Sequence, residues 1–166
     1  MHLASTTLDS PVGLLTLVAS DVGLVAVMWE SDDPLRVRLG PLTPTDAHPI
    51  LTEATRQLRG YFAGERTTFD LPLDRRGTDF QKSVWAALLA IPHGETRSYA
   101  AIARIIGRPS ASRAVGAANG RNPLSIVAPC HRVVGTSGHL TGFAGGLEAK
   151  ALLLALERRA MELPLE

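Results

Sequence analysis

The chain changes character once, around Asp74-Arg75-Arg76-Gly77, and that change limits what it can fold into. Ahead of it, short Leu- and Val-rich runs are separated by turn residues. Behind it, apolar residues return every three or four positions after helix-starting side chains. Strands first and helices second exclude an alternating α/β sheet and point to an α+β fold. The reading is two domains, residues 1–76 and 77–166. The first is a small antiparallel sheet with a helix, and the second is mainly helical. A length of 166 residues allows that division.

Strands are expected over about 4–8, 14–19 and 24–30, with turns at Asp9-Ser10-Pro11-Val12-Gly13 and Ser20-Asp21-Val22-Gly23. Four prolines between Ser31 and Pro49 mark a loop. Leu51, Ala54, Leu58, Tyr61 and Phe62 fall at helical spacing closed by Gly64, and Phe69 to Leu73 reads as a short strand.

In the second half, Thr78-Asp79-Phe80-Gln81 has the form of a capping box ahead of a helix that stops at Pro92. Ser98 is a good N-cap for a short helix over 99–106, ended by Gly107. After Arg108-Pro109-Ser110, a second short helix is expected over 111–119. Two short helices joined through a few residues containing Gly form the helix-turn-helix pattern. A last helix is expected over 147–159.

Hydrophobic residues make up 45% and charged residues 20%, which excludes a disordered tail, a collagen and a coiled coil. The longest apolar run, the eight residues Val84 to Ile91, is too short to span a bilayer, and no secretory signal is visible. The single cysteine, Cys130, excludes a disulfide framework and a Cys-based zinc cluster within one chain. It points to a reducing, cytoplasmic location.

The net charge of +1 hides an asymmetry. Residues 1–75 carry six Lys/Arg against ten Asp/Glu, a balance of −4, and residues 76–166 carry eleven against six, a balance of +5. Between Thr96 and Leu147 stand Arg97, Arg104, Arg108, Arg113, Arg121 and Arg132 without one acid. A footprint for a polyanion and a solvated arginine face explain this equally well.

Arg113-Ala114-Val115-Gly116-Ala117-Ala118 is unusually small-sided. Close packing on a neighbouring helix would need that. So would a slim helix entering an opened minor groove of DNA, about 6 Å wide, with one large cation projecting from it. Cys130 lies in Pro129-Cys130-His131-Arg132-Val133. A lone cysteine is ordinarily a small buried hydrophobe. As a nucleophile it needs a base and an acid to orient that base, because a free thiol is only a few per cent thiolate at pH 7. Glu157, in an apolar stretch of the last helix, is a candidate acid; the alternative is a surface carboxylate paired with Arg158 or Arg159.

Arg113-Ala114-Val115-Gly116, then Asn122-Pro123, then Pro129-Cys130-His131-Arg132-Val133, then Gly145-Gly146 and Glu157 together resemble the O6-alkylguanine-DNA alkyltransferases. The likeness is clear from about Thr78 to Arg159 and looser before it. It implies direct DNA repair: an alkyl group passes irreversibly from O6-alkylguanine in duplex DNA to Cys130, once per molecule. O4-alkylthymine is a candidate second substrate. It implies that His131 deprotonates Cys130 through a water and that Glu157 orients and charges His131. Asn122 resembles the family's buried hinge asparagine, and Tyr99 the residue that would protonate the departing guanine. Arg113 would fill the gap left by the extruded base, with Ala114, Gly116, Ala117, Ser98 and Tyr99 along the minor groove. Val133, Phe143, Ala144 and Gly145 would line the base pocket, with the carbonyls of Cys130 and Val133 accepting from the exocyclic amine and the Ala144 amide donating to O6. No cofactor, no metal and no membrane is implied, and a monomer is expected.

Phe143 and Ala144 stand where some members of that family have Tyr and Ser, and Asn119 and Gly120 lie where members differ. A Cys-based zinc site, which some members carry, is excluded here by the single cysteine. Three other functions compete. A non-enzymatic DNA-binding relative would carry another residue in place of Cys130. A helix-turn-helix transcription factor would not require Cys130, His131 and Glu157 together. A cysteine hydrolase would show an oxyanion motif, and none is visible.

Overall fold

The structure, a computed structural model, describes residues 2–135 and 142–162. Strands β1 (Leu3–Ser10), β2 (Gly13–Ala19) and β3 (Leu24–Met28) form an antiparallel meander. Gly13 ends the first turn at φ 98, a conformation that costs a residue without Cβ little.

The expected antiparallel sheet is mixed. A fourth strand, β4 (Leu42–Pro44), lies inside the proline-rich segment read as loop and pairs parallel with β1, giving the order β3-β2-β1-β4. Pro44 ends an edge strand, where its missing N–H costs no ladder bond. The strand expected over 69–73 is only an isolated bridge between Leu24 and Leu73. It still covers the open side of β3, with Leu24 N donating to Pro72 O and Asp74 N to Leu24 O, each at 2.8 Å. Further along the same edge, Val27 N donates to Pro123 O at 2.8 Å, so a segment from the second half completes the cover.

Helix α1 (Pro49–Phe62) lays Leu51, Ala54, Leu58 and Tyr61 on the sheet, against Leu8, Leu15 and Leu17. The same apolar cluster takes in Leu124, Ile126, Val127, Ala128, Ala149 and Leu153. One core therefore draws on both sides of residue 76.

In the second half, α2 (Asp79–Leu89) starts at the capping box: Thr78 Oγ1 accepts from Gln81 N at 3.1 Å and Gln81 Oε1 from Thr78 N at 3.0 Å. The helix pair is α3 (Tyr99–Ile105), capped by Ser98 Oγ accepting from Ala101 N at 3.0 Å, and α4 (Ser112–Gly120). These three helices enclose Val84, Trp85, Leu88, Ile102, Ala103, Val115 and Ala118, and Cys130 and Val133 belong to the same cluster. A last helix, α5, spans Leu147–Glu162. Two strands too short to show alternation, β5 (Arg97–Ser98) and β6 (Val133–Val134), pair in parallel and tie the start of α3 to the residues after Cys130. Among the described residues no helix is long and apolar enough to cross a membrane.

Candidate active site

The approach to Cys130 is a backbone of tight turns held by Asn122. Val127 N donates to Ser125 O at 2.8 Å around Ile126, whose φ of 73 is rare for a β-branched residue. Cys130 N donates to Ala128 O at 2.7 Å around Pro129, at φ −79 and ψ 69, an inverse γ-turn. Asn122 spans the first of these turns from inside: its Nδ2 donates to Ala128 O at 2.8 Å and its Oδ1 accepts from Leu124 N at 3.1 Å. Ser125 is fixed as well, its Oγ accepting from Trp29 Nε1 at 3.0 Å. Arg36, pinned to Asp32 at 2.7 Å, donates to Asn122 O at 2.9 Å and Gly120 O at 3.1 Å. Strain at one residue persists where its surroundings over-determine it, and here they do.

Cys130, His131 and Arg132 form a single 3-10 turn, and all three are buried. Glu157 is not a surface carboxylate: it is 0% exposed and paired with neither Arg158 nor Arg159. His131 Nε2 lies 2.7 Å from its Oε2. Arg132 grips it with Nε to Oε1 at 2.8 Å and Nη2 to Oε2 at 2.9 Å, and sends Nη1 to Ile91 O at 2.6 Å. The Tyr61 hydroxyl donates to Oε2 at 2.6 Å.

Burial alone would raise the Glu157 carboxyl, but hydrogen bonds from His131, Arg132 and Tyr61 outweigh it and hold the group well below the usual carboxylate range. An ionised carboxylate only accepts, so His131 Nε2 is the donor and carries the ring proton. Burial pushes His131 down, against the pull of Glu157 and with the repulsion of Arg132 and Lys150. The imidazole is therefore neutral, not charged as the resemblance implied. Its other nitrogen, Nδ1, is buried without a hydrogen-bond partner among the described residues, a lone pair able to receive a proton. Burial also raises the Cys130 thiol, with Asn122, Arg36, Ser125 and Lys150 pulling the other way. The resting pair is a neutral thiol and a neutral base.

Sequence reading missed three contributors. Arg132 stands in sequence among the arginines of the acid-free stretch, yet it is spent on Glu157. Tyr61 was read as a core position of α1. Lys150 is wholly buried, donates to Val133 O at 2.7 Å and lies 5.9 Å from the Phe143 ring. Burial lowers its pKa while Cys130 acts to raise it. A Lys in the first turn of an otherwise apolar stretch of α5 was the signal for it.

The remaining expected residues fall in three groups. Arg113, Ala114 and Ala117 are exposed on α4, whereas Val115, Ala118 and Asn119 face inward. Asn119 is thereby removed from any groove; its Nδ2 reaches Cys130 O at 3.4 Å. Tyr99 is half-buried at the start of α3, and a Cβ on Gly116 would lie 3.8 Å from its ring. Ser98 beside it is occupied as the cap. Phe143, Ala144 and Gly145 are half-buried against Trp29, Phe143 edge-on to it at 5.3 Å. A Cβ on Gly145 would sit 2.6 Å from the Trp29 ring, so only glycine fits. The Val133 carbonyl is used by Lys150, and that of Cys130 by Val133 N and Asn119. The Cys130 carbonyl thus has both lone pairs engaged, against the acceptor role expected for it, whereas Val133 O has one taken by Lys150. No three His, Cys, Asp or Glu side chains among the described residues gather to hold a metal ion.

Residues 3–75 match the family model for the 6-O-methylguanine DNA methyltransferase ribonuclease-like domain, and residues 79–159 match that for the DNA binding domain of the same enzymes. The chain belongs to the O6-alkylguanine-DNA alkyltransferase family. This alkyltransferase is 53% identical over 155 residues to the methylated-DNA–protein-cysteine methyltransferase of Mycolicibacterium paratuberculosis, covering 92% of this chain and 91% of the relative. It is 47% identical over 155 residues to the constitutive one of Bacillus subtilis, covering 92% and 94%. The crystal structure of Mycobacterium tuberculosis OGT in complex with DNA superposes on the alkyltransferase with a TM-score of 0.87 at 49% identity, covering 96% of this chain and 94% of that one.

Proposed function

We infer that this chain repairs DNA by moving the alkyl group of O6-alkylguanine onto Sγ of Cys130. One observation carries the reading: the only thiol lies in one turn with a neutral imidazole whose Nε2 is locked on a buried carboxylate and whose Nδ1 is unpartnered. This is the arrangement of an activated nucleophile with its base and orienter.

The chemistry balances through these groups. His131 Nδ1 takes the thiol proton by way of a water. The sulfur lone pair attacks the alkyl carbon, an S–C bond forms, and the C–O6 bond breaks with its electron pair going to O6. The guanine ring nitrogen takes a proton from the Tyr99 hydroxyl, and the proton held by His131 is released to solvent, from which the Tyr99 phenolate is reprotonated, so that both side chains return to neutral. Thioether and guanine are the products. O4-alkylthymine offers the same leaving chemistry as a second substrate. Because a base inside a duplex is out of reach, the target is extruded at a cost of a few kcal/mol.

Exposure of Arg113, Ala114 and Ala117 beside Gly116 favours α4 as the slim helix in the minor groove, with Arg113 in the gap left by the base. Ser98 and Tyr99 border that helix. Asn122 holds α4 to the Cys130 turn, and Val133, Phe143, Ala144 and Gly145 line the base pocket. Residues 1–76 act as a supporting domain and 77–166 as the reacting one. The chain works as a monomer, in the cytoplasm, where a lone thiol stays reduced. Incubation with a duplex bearing O6-methylguanine, followed by intact-protein mass and peptide mapping, tests this. Methyl on Cys130 is the expected result, and an unmodified protein beside unrepaired DNA would refute it.

A further inference from the structure

A cleft of about 450 Å³ opens where the segment 35–39, the entry of α2 and the end of α4 meet. Arg36, Arg38, Arg76 and Arg121 line it together with Gln81, and no acidic side chain among the described residues does. Two of the four are neutralised from behind: Arg36 by Asp32 at 2.7 Å and Arg76 by Asp74 at 2.9 Å. Arg38 and Arg121 are exposed and, among the described residues, have no acidic partner. Gln81 has its Oε1 tied to Thr78 N by the capping box, which leaves the amide nitrogen, a donor, as its open end. The lining thus offers donors and uncompensated positive charge to one small region.

Its place on α4 says what fills it. Arg113, Ala117 and Arg121 follow each other at four-residue steps, and all three are exposed. Residues at that spacing share a helix face. Arg121 caps the helix at its C-terminal end. Eight residues at 1.5 Å each put it about 12 Å along the axis from Arg113, or three to four base steps at 3.4 Å. A duplex laid on the face that begins at Arg113 runs toward the mouth of the cleft.

We propose that this cleft is a second DNA contact, in which Arg38 and Arg121 hold a backbone phosphate a few nucleotides from the damaged base. It makes the N-terminal half, acidic overall, a participant in DNA binding through one loop. The inference rests on the reading of this chain as a DNA alkyltransferase.

The test compares wild type with Arg38→Ala/Arg121→Ala, and with Arg59→Ala as a control for lost charge, since Arg59 is exposed on α1. Affinity for an undamaged fluorescent duplex is measured across a salt series, thermal melts confirm the fold, and wild-type methylation by free O6-methylguanine base reads the reaction separately. Each phosphate contact contributes about 0.9 to the slope of log K against log salt, so the double variant, which loses one such contact, should lose about 0.9 from it. Arg59→Ala should keep the slope. An unchanged slope in the double variant, or an equal loss in Arg59→Ala, overturns the cleft while leaving the alkyl transfer intact. Wild type that is methylated by free base but shows no salt-dependent affinity overturns the contact too. Wild type that is never methylated strikes the proposed function itself.

Discussion

The Tyr61 hydroxyl donates to Glu157 Oε2 across 2.6 Å, joining α1 of the first half to α5 of the second. The carboxylate it reaches is the one that holds the His131 ring. This buried oxygen thus adds to Trp29 and Arg36 as a link from the N-terminal half to the Cys130–His131 turn. Burial, with Glu157 beside it, raises the Tyr61 phenol far above its ordinary value, so it stays a donor at every working pH.

Tyr61→Phe removes one of three donors on Glu157 without opening a cavity. A hydrogen bond to a charged group contributes about 1.5–3 kcal/mol, and the variant should lose stability in that range. Chemical denaturation reads the loss. Alkyl transfer should slow modestly, because His131 and Arg132 still hold the carboxylate. Unaltered stability would mean that the bond contributes nothing net.

The site should be acid-labile. His131 titrates lower in the folded chain than in the unfolded one, where it protonates near 6.5. The unfolded chain thus binds the proton first, and this stabilisation is full above pH about 6.5 and lost as pH falls toward the folded value. His93, also lowered by burial, acts with the same sign. Glu157 follows at lower pH, its contribution present above about 4.3 and lost beneath that. The thermal midpoint should drop between pH 7 and 5, and His131→Phe should shrink that drop. An identical acid slope in the variant would assign the lability elsewhere.

Much of this architecture is legible locally. The capping box at Thr78, the Ser98 cap and the spacing of Leu51, Ala54 and Leu58 are short-range signals, and the elements they announce are present. What was hidden depends on partners remote in sequence. β4 has three residues in a proline-rich stretch and exists because β1 offers an edge. β5 and β6 pair only across the Cys130 turn. At the site, Cys130, His131 and Glu157 could be named from their motif. The neutrality of His131 could not, because it follows from burial outweighing an adjacent carboxylate. Arg132 read as surface charge for the same reason: the acid that claims it lies 25 positions away.

Arg113→Ala should weaken repair in duplex DNA more than reaction with a free alkylated base. The side chain is exposed on a small-sided helix and its proposed task is to fill the gap left by the flipped guanine. Tyr99→Phe should instead slow both reactions, since it removes the proposed proton donor. Single-turnover rates on the two substrates separate these roles; equal losses in Arg113→Ala would remove Arg113 from the gap.

Lys150→Met keeps the length of a buried side chain and deletes its charge. The buried hydrogen bond to Val133 O is lost with the charge, so stability should fall by about 1–3 kcal/mol. The thiolate of Cys130 would lose a nearby positive charge, so its apparent pKa should rise. The pH dependence of iodoacetamide alkylation at Cys130 measures this directly. A superimposable profile would mean that Lys150 does not tune the thiol.

The protein should be consumed by its own reaction. Cys130 is the only thiol in the sequence, so no second cysteine can attack or exchange with the alkylated sulfur. The S–C bond of a thioether is not hydrolysed under mild conditions, and His131, a neutral base on a buried turn, has no electrophile there to activate. Excess O6-methylguanine duplex should yield at most one repaired guanine per molecule, with one methyl replacing one hydrogen on the Cys130 peptide. Cys130→Ser should abolish transfer, since its hydroxyl is far harder to ionise than a thiol. It should still bind DNA, because Arg113 and its helix are untouched. A count of repaired guanines above the count of protein molecules, or methyl on any other residue, would require a different mechanism.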